Sequence, residues 1–219
     1  MSSLRISNLM LAGLVALVAL GCSKGSAIKK DEVITEGAKR TATKEDGQVF
    51  KGDGYSLSMP KSWQVIDLRG GDFKKGMAEV SKDPKMANVA AAVEQAAQNK
   101  QMKLFAVMAE PVDGFAPNLN ILEVPVPMDM PESKVFEENV KQIATMTKAK
   151  PEQEIRKLGS TNVLVLRWGT EMMANPLSMT TALVWKNKTQ YVFTFTTNES
   201  LKEKSRKEID GVIDSIRFD

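Results

Sequence analysis

The chain contains no histidine and a single cysteine, Cys22, among its 219 residues. Without histidine there is no Ser-His-Asp or Cys-His nucleophile system, no His-ligated zinc or haem, and no imidazole to shuttle protons near neutral pH. A lone cysteine excludes an internal disulfide. Aromatic residues are scarce at 6%, but a hydrophobic share of 42% and a charged share of 26% are those of an ordinary globular domain. Disordered, collagenous and disulfide-knotted chains are composed differently. Thirty basic residues stand against 27 acidic ones, a net charge of +3. The signs are interleaved and no aromatic-plus-basic motif appears, so the excess reads as solvated surface, with no nucleic-acid partner.

Charge is also missing from Leu9 to Leu20, an apolar stretch that follows Arg5. As a helix it would reach about 18 Å, well short of a bilayer core of about 30 Å. It reads as the hydrophobic region of a secretory signal. The stretch leads into Val18-Ala19-Leu20-Gly21-Cys22, which resembles the bacterial lipobox. The commonest form of that motif has Leu three residues before the cysteine; here Ala19 holds that place and Leu20 comes one step later. The resemblance implies signal cleavage after Gly21 and lipidation of Cys22. It also implies an exported chain anchored to a bacterial membrane, facing the periplasm or the exterior. Two or three acyl chains, each worth about 0.8 kcal/mol per buried CH₂, hold a protein where one would not. Asn187-Lys188-Thr189 and Asn198-Glu199-Ser200 have the form of glycosylation sequons, which in a bacterial chain carry no expectation.

Residues 1–21 are thus expected to be a lipoprotein signal peptide and residues 22–47 a lipidated flexible tether, rich in Lys, Glu and Asp of mixed sign. Ser26-Ala27-Ile28-Lys29 matches a Ser-x-x-Lys nucleophile spacing but sits in this tether with no pocket, and is read as coincidence. Residues 48–219 form the domain. Val49-Phe50 and Tyr55–Met59 read as strands joined by a turn at Gly52-Asp53-Gly54, with Trp63–Ile66 a further strand piece. Phe73, Met77 and Val80 follow helical spacing behind Asp72, and Met86, Val89, Ala90, Val93 and Ala97 do so behind Asp83-Pro84. Lys103–Met108 and Asn120–Val126 read as strands. A helix is expected from about Glu132 to Lys148, with Asp129…Glu132 as its capping box. Asn162–Met172, Leu177–Trp185 and Gln190–Thr196 read as an antiparallel meander turned at Asn175-Pro176 and Asn187-Lys188. A last helix, opened by a Ser200-x-x-Glu203 capping box, buries Leu201, Ile209, Val212 and Ile216. That order predicts an α+β fold: an antiparallel sheet covered by helices.

Gly54-Tyr55-Ser56-Leu57-Ser58-Met59-Pro60-Lys61-Ser62-Trp63 resembles the G-[YF]-S-[FL]-x-x-P-x-x-W opening of the PsbP/DcrB-like superfamily. The strand at Asn120-Ile121-Leu122-Glu123, the meander ending Tyr191–Thr196 and a helix closing Ser215-Ile216-Arg217-Phe218 extend the resemblance over nearly the whole domain. It implies an α/β/α sandwich with a central antiparallel sheet, often on an exported lipoprotein and usually without enzymatic activity. The two helices between Asp72 and Gln98 exceed the minimal pattern and are read as an inserted helical pair. The resemblance supplies no catalytic or metal residues.

Thirteen methionines, with Met128-Asp129-Met130 and Met172-Met173 among them, raise a Cu(I) reading. With no Cys or His beside them, core packing is preferred, and neither metal nor cofactor is expected. Carboxylates are the remaining acid/base groups. Asp210 and Asp214, spaced i, i+4 on the last helix, read as a solvated outer face. Phe115, in the loop Asp113-Gly114-Phe115-Ala116-Pro117, is the candidate partner contact. The expected function is a non-enzymatic binding or assembly module of the cell envelope, held at the membrane through acylated Cys22 and meeting an envelope protein. The alternative is a carrier of a small apolar or amphipathic ligand, seated between the inserted helices and the sheet near Met86, Val89 and Val93.

Overall fold

Two glycines shape the first hairpin. Gly54 has φ +76°, a left-handed conformation that only glycine adopts without strain. It lets β2 (Gly47–Lys51) turn back on β3 (Tyr55–Pro60) with Phe50 opposite Leu57. The computed structural model describes residues 41–42, 47–67, 101–108, 117–125, 130–172 and 175–219. Along β3, Tyr55, Leu57 and Met59 are buried while the residues between them are not, the period-two signature of a strand with one face on a core. β1 (Thr41–Ala42) pairs with β2, so the strands β1-β2-β3-β11 form a four-stranded sheet, with β11 being Arg217–Phe218.

The larger sheet has seven strands: β4 (Trp63–Asp67), β5 (Met102–Met108), β6 (Asn118–Pro125), β7 (Glu152–Leu158), β8 (Thr161–Met172), β9 (Asn175–Lys186) and β10 (Thr189–Asn198). Their spatial order is β4-β5-β6-β10-β9-β8-β7, and every pairing is antiparallel. The β9–β10 turn falls at Asn187-Lys188 as expected, both with positive φ (52° and 60°), the conformation a two-residue hairpin requires.

Among the described residues, each face of this sheet carries one helix. Leu122, Val124, Leu164, Leu166, Leu183 and Val192 pack under Phe136, Val140 and Ile143 of α1 (Glu132–Thr147). A buried polar pair sits in this layer: Gln190 Nε2 donates to Asn139 Oδ1 at 3.0 Å, and Asn139 Nδ2 donates to the Val135 carbonyl at 2.8 Å. The alternate residues Leu119, Ile121, Val163, Val165, Val184, Phe193 and Phe195 face the other way. There they meet Ile209, Val212 and Ile213 of α2 (Lys202–Asp214), together with Phe50, Tyr55, Leu57 and Met59 of the small sheet. The described residues therefore form an α+β fold with helices on opposite faces of a central antiparallel sheet. The small sheet shares the α2 side.

Several local expectations need correction. α1 begins at Glu132, after Pro131, with no side-chain cap from that residue, and Asp129 of the expected capping box lies outside the described residues; Glu132 accepts from Asn162 Nδ2 at 2.8 Å, tying the helix to β8. Before α2, Asn198 Oδ1 accepts from the Leu201 N–H at 3.0 Å and caps a 3-10 turn over Glu199–Leu201. The helix thus starts two residues beyond the Ser200 cap that the sequence suggested. Asn175-Pro176 pairs with Met172 and Glu171 as the first residues of β9 and is not the turn itself. Ser215–Phe218 leaves the helix and ends in β11. Two further strands were not expected at all: β7, and β1, whose Thr41–Ala42 falls with Gly47 of β2 in the stretch read as tether. The helices proposed between Asp72 and Gln98 lie outside the described residues.

Candidate functional site

β7 alternates charge in place of hydrophobicity. Glu152, Glu154 and Arg156 share one side of the strand at period two, and Glu152 stands opposite Arg167 of β8. On α2, Arg206, Asp210 and Asp214 recur every four residues and so line one helical stripe. Packing α2 against the sheet brings the two rows together.

Arg156 is the hub. Its Nε and Nη2 donate to the two Glu154 oxygens, each at 3.0 Å; Nη2 also donates to Asp210 Oδ1 at 2.9 Å, and Nη1 donates to Asp214 Oδ1 at 3.0 Å. Arg167 donates through Nη2 to the same Asp210 Oδ1 at 2.7 Å, and through Nη1 to Glu154 Oε2 at 3.3 Å and Glu152 Oε1 at 3.5 Å. Arg206 Nη2 closes the outer end on Glu152 Oε1 at 2.9 Å. The Arg167 side chain is only 7% exposed, and the Asp210 side chain 26%. Asp210 is therefore not a member of a solvated outer face: it accepts from two guanidiniums at the joint between helix and sheet. Asp214 is the more exposed of the two, yet it too is engaged.

The electrostatics follow from this geometry. Hydrogen bonding to Arg156 holds the Glu154 carboxyl below its ordinary range, with Arg167 adding to the effect, and the bonds to Glu154 and Asp210 raise Arg156 still further above neutrality. A general acid needs the opposite displacement, a carboxyl pushed up toward neutrality. What the arrangement does chemically is clamp: it fastens α2 across β7 and β8 through charge-assisted bonds.

This clamp has a pH signature. A carboxyl whose folded value is depressed contributes stability that is complete above its unfolded value, here ordinarily 4.5, and is lost as pH falls through the lower folded value. Glu154→Gln is expected to lower stability modestly at neutral pH, where the carboxylate contributes in full, with the loss shrinking below about pH 4.5 so that the acid limb of the profile flattens, in urea midpoints taken between about pH 3 and pH 7.

On the same face, Tyr55 forms the centre of an aromatic cluster. Its ring lies edge-on to Tyr191 and Phe193, both at 5.5 Å, with Phe50 at 6.4 Å and Phe218 at 6.1 Å. Trp63, the last residue of the motif that opens at Gly54, is buried and donates Nε1 to Glu208 Oε1 of α2 at 2.6 Å. Ser58 and Ser215 join β3 to the end of α2: the Ser58 N–H donates to Ser215 Oγ at 2.9 Å. The residues that carry the PsbP/DcrB-like resemblance thus build the joint between small sheet, helix and main sheet.

No family model matches the chain. No curated protein matches it either. Among solved structures, it is similar to the cyanobacterial PsbP (CyanoP) of Synechocystis, at 14% identity and TM-score 0.48, over 91% of this chain and 99% of that one. LpqN of Mycobacterium tuberculosis, described as involved in cell envelope biogenesis, aligns at 10% identity and TM-score 0.44 over 81% and 87% of the two chains. The Saccharomyces cerevisiae Ran-binding protein Mog1p aligns at 9% and 0.42 over 75% and 90%. Likeness of this degree assigns neither family nor activity, and the architecture stands on the strand order and the two covered faces.

Of the residues singled out in the sequence, Gly21, Cys22 and Phe115 lie outside the described residues, as do Met86, Val89 and Val93. Met59, Met102 and Met179 are core residues, and Met108 and Met146 pack partly buried against the two clusters, so these five serve as apolar filling. Among the described residues no group of three or more His, Cys, Asp or Glu is placed to hold a metal ion. Among them, too, no helix is long and apolar enough to cross a membrane. Glu152, Glu154, Arg156, Arg167 and Arg206 were missed. The period-two alternation Glu152, Glu154, Arg156 is the signal that would have found the first three.

Proposed function

We propose that this chain is an exported, lipid-anchored and non-enzymatic binding or assembly module of the cell envelope. The observation that carries the proposal is the one cysteine of the chain, placed directly after Val18-Ala19-Leu20-Gly21 and behind an apolar stretch too short to span a bilayer. In this reading signal cleavage after Gly21 leaves acylated Cys22 as the membrane pin, the part of the expected tether ahead of β1 holds the domain off the surface, and the folded body acts through contact. Two further features support it. The carboxylates gathered at the α2 joint are spent on guanidiniums, and Glu154 is shifted away from the range a general acid requires. The residues resembling the PsbP/DcrB-like opening build the core and joints around Tyr55 and Trp63.

Cys22→Ser is the direct test. The variant is expected to leave the membrane fraction for the soluble fraction almost completely, because loss of every acyl chain removes the whole of the anchoring free energy. Continued membrane retention of the variant would overturn the anchor. Isolation of the wild-type chain from its own envelope is expected to yield a stoichiometric protein partner, and a co-purifying small molecule in its place would overturn the assembly role.

A further inference from the structure

β7 is an edge. Among the described strands it pairs only with β8, and Glu152, Gln153, Glu154, Ile155 and Lys157 are exposed along it. Ile155, at 65% exposure, is the one large hydrophobic side chain left in solvent among the described residues. An unpaired strand edge offers a row of backbone donors and acceptors to another strand. Charges on such an edge ordinarily repel a visitor, so the question is whether any register turns them into attraction.

A two-fold axis perpendicular to the sheet joins two edges antiparallel and keeps each face continuous, so facing residues must share the same parity. That leaves few registers. Centred on Glu154 or Arg156, the pairing sets each of those residues against its own copy. Centred on Gln153 it opposes Glu152 to Glu154, and centred on Lys157 it opposes two lysines. Among registers centred within Glu152–Lys157, where Glu152 too would meet its own copy, only that centred on Ile155 opposes no like charges: Glu154 faces Arg156 of the second copy, Gln153 faces Lys157, Glu152 faces Leu158, and the two Ile155 side chains meet on the axis.

We infer that β7 is a self-complementary edge that pairs with β7 of a second copy of this chain, in antiparallel register about Ile155. The pairing joins two seven-stranded sheets into one and covers Ile155 with its own copy. The charges that make this edge a poor template for other strands select this single register. Arg156 already holds Asp210 and Asp214 within its own chain, so the partner's Glu154 joins a charge cluster that is already ordered.

The test uses residues outside that cluster. The full chain in nonionic detergent, studied by density-matched sedimentation equilibrium, is expected to show a monomer–dimer equilibrium. Gln153→Lys sets lysine against Lys157 twice across the axis and is expected to weaken dimerisation about fivefold, whereas Gln153→Glu strengthens it by a similar factor. The double variant Gln153→Lys/Lys157→Glu restores attraction and is expected to raise the constant to about that of Gln153→Glu. Ile155→Asp, at an exposed position, is expected to abolish the dimer while leaving the thermal melt of the monomer unchanged. A chain that stays monomeric throughout would overturn the proposal. So would a dimer that ignores the signs at 153 and 157, which would place the contact in another segment.

Discussion

Replacing Arg167 with methionine is expected to cost the domain about 3 kcal/mol of stability, read as a fall in the urea midpoint at unchanged slope. Methionine keeps much of the apolar stem, so the loss isolates the guanidinium. Arg167 is the most buried member of the charged joint and shares Asp210 Oδ1 with Arg156. Without it Asp210, Glu152 and Glu154 lose a common counter-charge. The figure sits at the low end for a broken buried pair because Glu152 and Glu154 stay half exposed and recover water. Arg206→Ala supplies the contrast: its one bond to Glu152 is made in solvent, so its removal is expected to cost less than about 1 kcal/mol. Similar losses from the two variants would mean that burial does not set the strength of this joint. Asp210→Asn is expected to couple to Arg167→Met in a double-mutant cycle by more than about 1 kcal/mol, since the two residues share one bond at 2.7 Å.

The contrast between β7 and its neighbours shows why some of this architecture was legible and some was not. β8, β9 and β10 announce themselves because they are buried on both faces, and Asn162–Met172, Leu177–Trp185 and Gln190–Thr196 are dense in β-branched and aromatic residues. β7 buries almost nothing: Glu-Gln-Glu-Ile-Arg-Lys-Leu has no apolar face, and hydrophobic periodicity has nothing to detect in it. Its strand character comes from pairing with β8 and from the guanidinium bonds of the joint, both of them long-range. The same blindness put Asp210 and Asp214 on a solvated face. An i, i+4 carboxylate pair looks outward when only its own helix is considered, and the arginines that meet it come from strands 43 to 58 residues away. The Ser200 capping box failed for a local reason. Asn198, two residues ahead of Ser200, has the side-chain acceptor that reaches the Leu201 N–H, and the Ser200 hydroxyl donates to that same oxygen. What composition and motif did reveal was the core: Tyr55, Leu57, Met59 and Trp63 are all buried.

That core holds the second large effect. Gly52→Ala is expected to destabilise the domain by about 3 kcal/mol, at the upper end for overpacking, although the backbone at 52 does not need a positive φ. A Cβ at this position would lie 2.1 Å from Tyr55 Cζ and 2.6 Å from its hydroxyl oxygen. The ring has nowhere to retreat, being 1% exposed and flanked edge-on by Tyr191 and Phe193. The Gly52 N–H also donates to the Tyr55 carbonyl at 2.8 Å, which keeps the two residues together. If the collision is the whole cause, the penalty must disappear with the ring. Tyr55→Leu alone is expected to cost about 2–3 kcal/mol for lost buried carbons and edge-on ring contacts. In that background the added cost of Gly52→Ala should fall below about 0.5 kcal/mol, because leucine lacks the ring atoms in the way. Urea unfolding of the four chains in the cycle decides it. Additive penalties would place the need for glycine in the backbone of the β2–β3 turn, and strong coupling would place it in the fit of one tyrosine against one missing methyl group.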